Sequence, residues 1–206
     1  MNRRSFLKGL LFVSSIFTLK LKASRKNNVS FNYGVASGDP TNTNIILWTK
    51  VSPTFNKNVS IKWQLSADKN FKNIINSGYV LAKYSNDFTV KVDVNVPNPF
   101  RGNKVFYRFL FNDTFSDTGI TNTLPDNDPD KYNIAFCSCS NHPAGYFNAY
   151  REMAKNEDID IVLHLGDYIY EYDKDGYATE DSERFNRVVD PKHEIISLND
   201  YRKRHA

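Results

Sequence analysis

The periodicity of this chain changes once, at the polar stretch Asp126-Asn127-Asp128-Pro129-Asp130. That change constrains the fold more than any other feature, because a turn-rich break between two hydrophobic patterns separates two folding units. Before it, from about Asn28 to Leu124, apolar residues recur with a period of two, the mark of half-buried strands. Ile45-Ile46-Leu47-Trp48-Thr49 reads as a buried strand. Val59, Ile61, Trp63 and Leu65 alternate on one face of the next, and Phe88, Val90, Val92, Val94 and Val96 repeat the pattern. Val105-Phe106-Tyr107-Arg108-Phe109-Leu110-Phe111 is a strand apolar on both faces. Val35-Ala36-Ser37-Gly38-Asp39-Pro40 opens on a turn signal, and Trp48 and Trp63 are read as core. Short strands at this spacing predict a small β-sandwich.

After the break the pattern is β-α-β. Tyr132 to Cys137 predicts a strand and Tyr146 to Lys155 a helix, with Phe147, Tyr150, Met153 and Ala154 on one face. Ile159 to Leu165 predicts a second, buried strand. A right-handed crossover makes the two strands parallel neighbours, which brings Cys139 and Asp167 to one sheet edge. Lys174 to His193 is charged, holds the single glycine Gly176, and reads as a surface excursion. Ser197 to His205 begins a helix, with Ser197 or Asn199 as its cap. Two parallel strands and two helices cannot cover both faces of such a sheet. The sequence therefore reads as the front part of a longer protein.

Composition narrows the function classes. With 40% apolar and 14% aromatic residues the chain can build a core. Its formal charge of +4 is local: Arg3, Arg4, Lys8, Lys20 and Lys22 lie in a leader without acids, leaving 22 basic against 23 acidic residues. No basic patch outside the leader suits nucleic acid. Asn2-Arg3-Arg4-Ser5-Phe6-Leu7-Lys8 resembles a twin-arginine export motif. The apolar segment Gly9 to Leu19 is short of the roughly 20 residues that a membrane span needs. Residues 1–23 thus read as a signal peptide, giving a periplasmic or secreted protein with the export machinery as a partner and no stable membrane anchor.

The chemistry concentrates in Ile161-Val162-Leu163-His164-Leu165-Gly166-Asp167-Tyr168-Ile169-Tyr170-Glu171-Tyr172. Gly166 allows a sharp turn, which puts Asp167 at the carboxyl end of a strand, where open α/β sheets bind ligands. A phenol one turn later, at Tyr170, predicts a site for a hard metal. Cys139 lies beside Asp167 by topology, and metal ligation is one reading of it. A buried thiol, or a strained bridge to Cys137, remains its alternative. His164 sits inside an apolar strand and reads as a satisfied core histidine or a donor behind a ligand. His142 is placed beside the candidate thiol, and Tyr168, Ile169 and Tyr172 read as packing residues. His193 and His205 read as exposed, and Arg202 and Arg204 as one helix face.

Several of these segments carry a resemblance. Phe31 to Pro53, including Gly34-Val35-Ala36-Ser37-Gly38-Asp39-Pro40 and Leu47-Trp48-Thr49-Lys50-Val51, is similar to the start of the PhoD family of alkaline phosphatases. So are Ser138-Cys139, Gly145-Tyr146-Phe147-Asn148-Ala149-Tyr150, the His164 to Tyr172 run and Leu198-Asn199-Asp200-Tyr201-Arg202. The resemblance implies two domains: an all-β sandwich of immunoglobulin/fibronectin type over residues 28–125, and the beginning of an α/β metallophosphatase domain, truncated, over residues 131–206. It implies a metal-dependent phosphoric ester hydrolase acting on monoesters and often diesters with iron(III), Fe(3+), and calcium, Ca(2+). Small phosphoesters would be its substrates.

Carried over residue by residue, Cys139 becomes an iron ligand, Asp167 the carboxylate bridging iron and calcium, and Tyr170 the iron-bound phenolate. Thiolate, carboxylate and phenolate are anionic donors suited to a trivalent cation, and calcium takes oxygen ligands. A bridging carboxylate holds two cations about 3.5–4 Å apart. Relatives usually carry Gln or Asn after the cysteine, where this chain has Ser140 followed by Asn141. The remaining ligands and the catalytic residues are expected downstream of Ala206. Two readings from other classes stand beside this one: a non-catalytic exported β-sandwich binding module with a degenerate enzyme remnant, and a redox protein using Cys137 and Cys139.

Overall fold

The computed structural model describes residues 28–127 and 131–206. The predicted leader, residues 1–23, lies outside the described residues. The described chain is mostly β-sheet with few helices. Its strands are β1 (Val29–Ser30), β2 (Val35–Gly38), β3 (Asn44–Lys50), β4 (Ser52–Pro53), β5 (Val59–Ser66) and β6 (Ile74–Ala82). They continue with β7 (Thr89–Asn95), β8 (Val105–Phe111), β9 (Thr114–Phe115), β10 (Gly119–Thr121), β11 (Ile134–Cys137) and β12 (Ile161–His164). Among the described residues the α-helices are α1 (Asn148–Lys155) and α2 (Leu198–His205), beside three short 3-10 turns. Among the described residues no helix is long and apolar enough to cross a membrane.

Two larger antiparallel sheets and the antiparallel pair β1-β4 form the N-terminal part. One has the order β10-β8-β5-β6, with β9 against β8, and the other is β2-β3-β7. Strand alternation explains the core. Val59, Ile61, Trp63 and Leu65 of β5, Val105, Tyr107 and Phe109 of β8, Ile45 and Leu47 of β3, and Val90 and Val94 of β7 join one buried cluster. Each such aliphatic side chain contributes about 1.5–3 kcal/mol when removed from water. At Gly119, paired with Tyr107 across β10 and β8, a Cβ would run into the Tyr107 ring. A glycine is required there by this close approach. Lys50 is buried at the edge of the core, where its Nζ meets Asp87 Oδ2 at 2.6 Å and lies 4.5 Å over the Tyr33 ring.

Three expectations change here. Val35–Gly38 is a strand paired with β3, and only Asp39, at φ 49°, retains the turn geometry. The segment has no burial alternation because it lies at a sheet edge. The nine-residue β6 was not legible, since Asn76, Ser77 and Gly78 interrupt its apolar pattern and its own face is open, leaving Tyr79 and Leu81 exposed. Trp48 is only half-buried. It falls one position out of phase with Leu47 and so faces away from the core, toward a cleft shared with Leu198, Tyr201 and His205 of the C-terminal part.

In the C-terminal part β11 and β12 pair in parallel, with Cys137 opposite His164, and α1 makes the crossover. The predicted burial of the second strand does not hold. Phe136 and Leu165 are 69% and 66% exposed, and Val162 and Leu163 are exposed with them. The pair forms a two-stranded sheet, and the described residues do not cover its apolar side chains. Residues 174–193 are irregular but anchored: Val189 and Pro191 are buried, and Lys174 N–H donates to Lys192 O at 3.0 Å. Ser197 caps α2 in a reciprocal capping box with Asp200.

Candidate metal centre

The candidate centre is built at the frayed ends of two paired strands. Beyond the regular ladder the pairing continues: Leu165 N–H donates to Cys137 O at 2.8 Å, Cys139 N–H to Gly166 O at 3.1 Å, and Ser140 N–H to Asp167 O at 2.8 Å. Both tails turn sharply. Gly166 has φ 127°, while Cys139 and Asp167 have φ 59° and 54°, left-handed conformations that L-residues occupy at a cost of about 1 kcal/mol or more each. The turns swing both side chains to the same edge. Cys139 Sγ then lies 3.5 Å from Asp167 Oδ2, and the Tyr170 hydroxyl donates to the same oxygen at 3.1 Å. A bend at Tyr168 and Ile169, not a helical turn, returns Tyr170 to Asp167. The three residues singled out by sequence therefore converge on one carboxylate oxygen.

Electrostatics mark the cluster as electron-rich. Hydrogen bonding with Cys139, followed by partial burial and the Asp167 carboxylate, holds the Tyr170 phenol well above the usual tyrosine range. Cys137 and Cys139 are both free thiols. The strand ends at Cys137, whose sulfur approaches Leu163 O at 3.7 Å, and Cys139 turns away through its positive φ. Among the described residues there is no group of three His, Cys, Asp or Glu side chains placed to hold a metal. The third donor here is the phenol.

A cavity of about 470 Å³ opens beside Tyr170. Ser140, Asn141, His142, Tyr168, Tyr172 and Tyr177 line it, together with Asn32 and Tyr33 from the N-terminal part. Tyr168 and Tyr172 are exposed wall residues, not packing residues. Partial burial, then the charges of Arg187 and Arg204, hold the His142 imidazole below its usual range, so it is neutral at pH 7. His164 is half-buried and hydrogen-bonded to Ser140 and Tyr150.

Arg204 is the residue that sequence reasoning missed. It leaves the helix face and its guanidinium donates to the carbonyls of Tyr170 at 2.7 Å, Pro191 at 2.9 Å and Tyr172 at 3.1 Å, with longer bonds to His193 and Asp190 at 3.3 Å. An arginine in the last turn of a helix is ordinarily read as a dipole partner, and nothing local marks it as a clamp on a loop 34 residues away.

Residues 18–125 match the model of the PhoD-like phosphatase N-terminal domain, and residues 134–206 that of the PhoD-like phosphatase. The chain belongs to the PhoD-like phosphatase family. It is 37% identical over 210 residues to the alkaline phosphatase D of Bacillus subtilis (strain 168), across 96% of this chain and 35% of that protein. A solved structure of PhoD superposes with a TM-score of 0.74 at 36% identity, covering 85% of this chain and 34% of that one. This PhoD-like chain thus spans about a third of the length of these relatives.

Proposed function

We propose that this PhoD-like chain serves a metal-dependent phosphoric ester hydrolase acting on small phosphate monoesters and diesters. In this reading an immunoglobulin/fibronectin-like sandwich, residues 28–125, carries the start of an α/β metallophosphatase domain, residues 131–206. The twin-arginine leader, residues 1–23, would export it to the periplasm or beyond. The observation that carries the reading is the convergence of Cys139, Asp167 and Tyr170 on Asp167 Oδ2.

The donor set fits the cations. Thiolate, carboxylate and phenolate would hold iron(III), and the carboxylate of Asp167 would reach calcium as well. The Tyr170 phenol is held well above its usual range, first by its hydrogen bond with Cys139 and then by desolvation and Asp167; a bound cation would favour the phenolate instead. When bound, the cations supply positive charge that offsets the negative charge growing on phosphoryl and leaving oxygens. Asp167 holds its acceptor oxygen toward both partners, and the Tyr170 hydroxyl donates its hydrogen bond to that oxygen. Neutral His142, on the cavity wall, can accept or donate one hydrogen bond to a phosphoester. Three donors are fewer than two cations require, so these residues form part of a ligand set.

The test is titration of iron(III), with and without calcium, into the chain and into Cys139→Ser, Asp167→Asn and Tyr170→Phe. Loss of a phenolate-to-iron visible absorption band on Tyr170→Phe, and weaker binding in all three variants, is expected. Undiminished binding in Asp167→Asn would refute the assignment.

A further inference from the structure

Behind the Cys139–Asp167 pair lies a second cluster that the metal reading leaves without a role. Ser140 follows Cys139 in the chain, Tyr150 stands on α1, and His164 ends β12. His164 Nε2 is 2.8 Å from Ser140 Oγ and 3.0 Å from the Tyr150 hydroxyl, and the two hydroxyls hydrogen-bond to each other. On the other side of the ring, Gly166 N–H donates to His164 Nδ1 across a longer 3.4 Å. An N–H aimed at Nδ1 requires an unprotonated nitrogen there, so the proton of the neutral ring sits on Nε2. Nε2–H then donates into the Ser140–Tyr150 pair. All three side chains are half-buried, where a polar group without a partner is costly.

The placement of these partners is the informative part. Ser140 adjoins Cys139 and Gly166 adjoins Asp167, so the His164 ring holds the immediate neighbour of each candidate ligand. Both candidate ligands stand in left-handed conformations, which persist only where surrounding contacts over-determine them. The backbone bonds Cys139 N–H to Gly166 O and Ser140 N–H to Asp167 O join the same two tails. The side-chain cluster adds α1 to that junction.

We propose that Ser140, Tyr150 and His164 form a positioning latch that sets the separation of Cys139 Sγ and Asp167 Oδ2. The proposal rests on the metal-ligand reading of those two residues. None of the three latch residues touches the cation, and His164 acts through Ser140 and Gly166. Groups that orient ligands in this way typically change metal affinity about 10- to 100-fold when removed.

Two readouts test it in the 206-residue chain. The first is amide hydrogen exchange by NMR without metal. Ser140→Ala should speed exchange at Cys139 and Ser140 about tenfold, the equivalent of one or two lost hydrogen bonds. Exchange at Leu47 and Phe109 in the sandwich core should not move, and Ser140→Thr, which keeps the hydroxyl, should restore protection. The second is iron(III) affinity, measured by competition with a chelator. It should fall about 10- to 100-fold in Ser140→Ala and in Tyr150→Phe, recover in Ser140→Thr, and fall no further in the double variant because the three act as a unit. Tyr150→Phe preserves the ring and its packing, so it still reports if Ser140→Ala folds poorly.

Unchanged exchange at Cys139 and Ser140, a proton found on His164 Nδ1, or faster exchange with unaltered iron affinity would each overturn the latch. If the unsubstituted chain takes up no iron, its three donors do not hold the cation by themselves, and exchange alone decides the latch. If it takes up iron and every variant does so equally, the metal reading stands and the latch falls.

Discussion

Replacing Arg204 by Met should release the Tyr170 loop while leaving the β-sheet core intact. Its guanidinium ties the carbonyls of Tyr170 and Pro191 at 2.7 and 2.9 Å, with three longer bonds around them. A hydrogen bond from a charged donor contributes about 1.5–3 kcal/mol net. Partial exposure of the site argues for the lower end, so the two short bonds together amount to about 3 kcal/mol. That corresponds to roughly a hundredfold change in a local opening equilibrium. The natural probes are Lys174 N–H, bonded to Lys192 O, and Ile195 N–H, bonded to Glu171 O, because these two bonds close the segment that Arg204 spans. Native-state hydrogen exchange should show both amides exchanging about a hundredfold faster in Arg204→Met. Arg204→Lys should recover less than half of the effect, since an ammonium lacks the planar fork that reaches several carbonyls at once. An acceleration below about threefold would refute the clamp, because it is less than one such bond supplies. Equal acceleration at Ile61 in the β-sheet core would also refute it, by showing a global loss of stability.

Leu47→Ala, at a position with 0% exposure, should lower stability by about 3 kcal/mol, read as a shifted urea midpoint with an unchanged slope. Asp200 is depressed to about 2, first by its hydrogen bond with the Ser197 backbone. The helix cap it provides should therefore be intact above the ordinary aspartate range near pH 4 and be lost as the pH falls toward 2; NMR titration of α2 amides checks the window, and Asp200→Asn should remove the pH dependence. Replacing Arg3 and Arg4 by Lys should retain the protein in the cytoplasm with its leader attached, and unchanged periplasmic yield on fractionation would count against twin-arginine export.

Much of the site was legible because its chemistry is local. Gly166, Asp167 and Tyr170 lie within five residues of one another, and the β-α-β pattern requires Cys139 to lie beside them through strand pairing. What sequence missed depends on distance along the chain. Arg204 clamps Tyr170 from 34 residues away, and Ser140, Tyr150 and His164 meet across 24 residues. Charge and periodicity carry no signal for such meetings. The bend that returns Tyr170 to Asp167 was read as a helical turn, since both geometries bring residues three apart together.

The sequence by itself marked the change of pattern at residues 126–130, the alternation that builds the β-sheet core, and the three candidate donors. Those features follow from side-chain period, turn chemistry and strand adjacency, which act within short windows or through topology. Only the tertiary structure decided that Trp48 faces a cleft, that β11 and β12 leave Phe136 and Leu165 open, and that Cys139 and Asp167 adopt left-handed conformations aimed at one oxygen. Each of these depends on which surfaces meet. A residue's type sets the cost of a conformation, but the contacts that hold it there come from elsewhere in the chain.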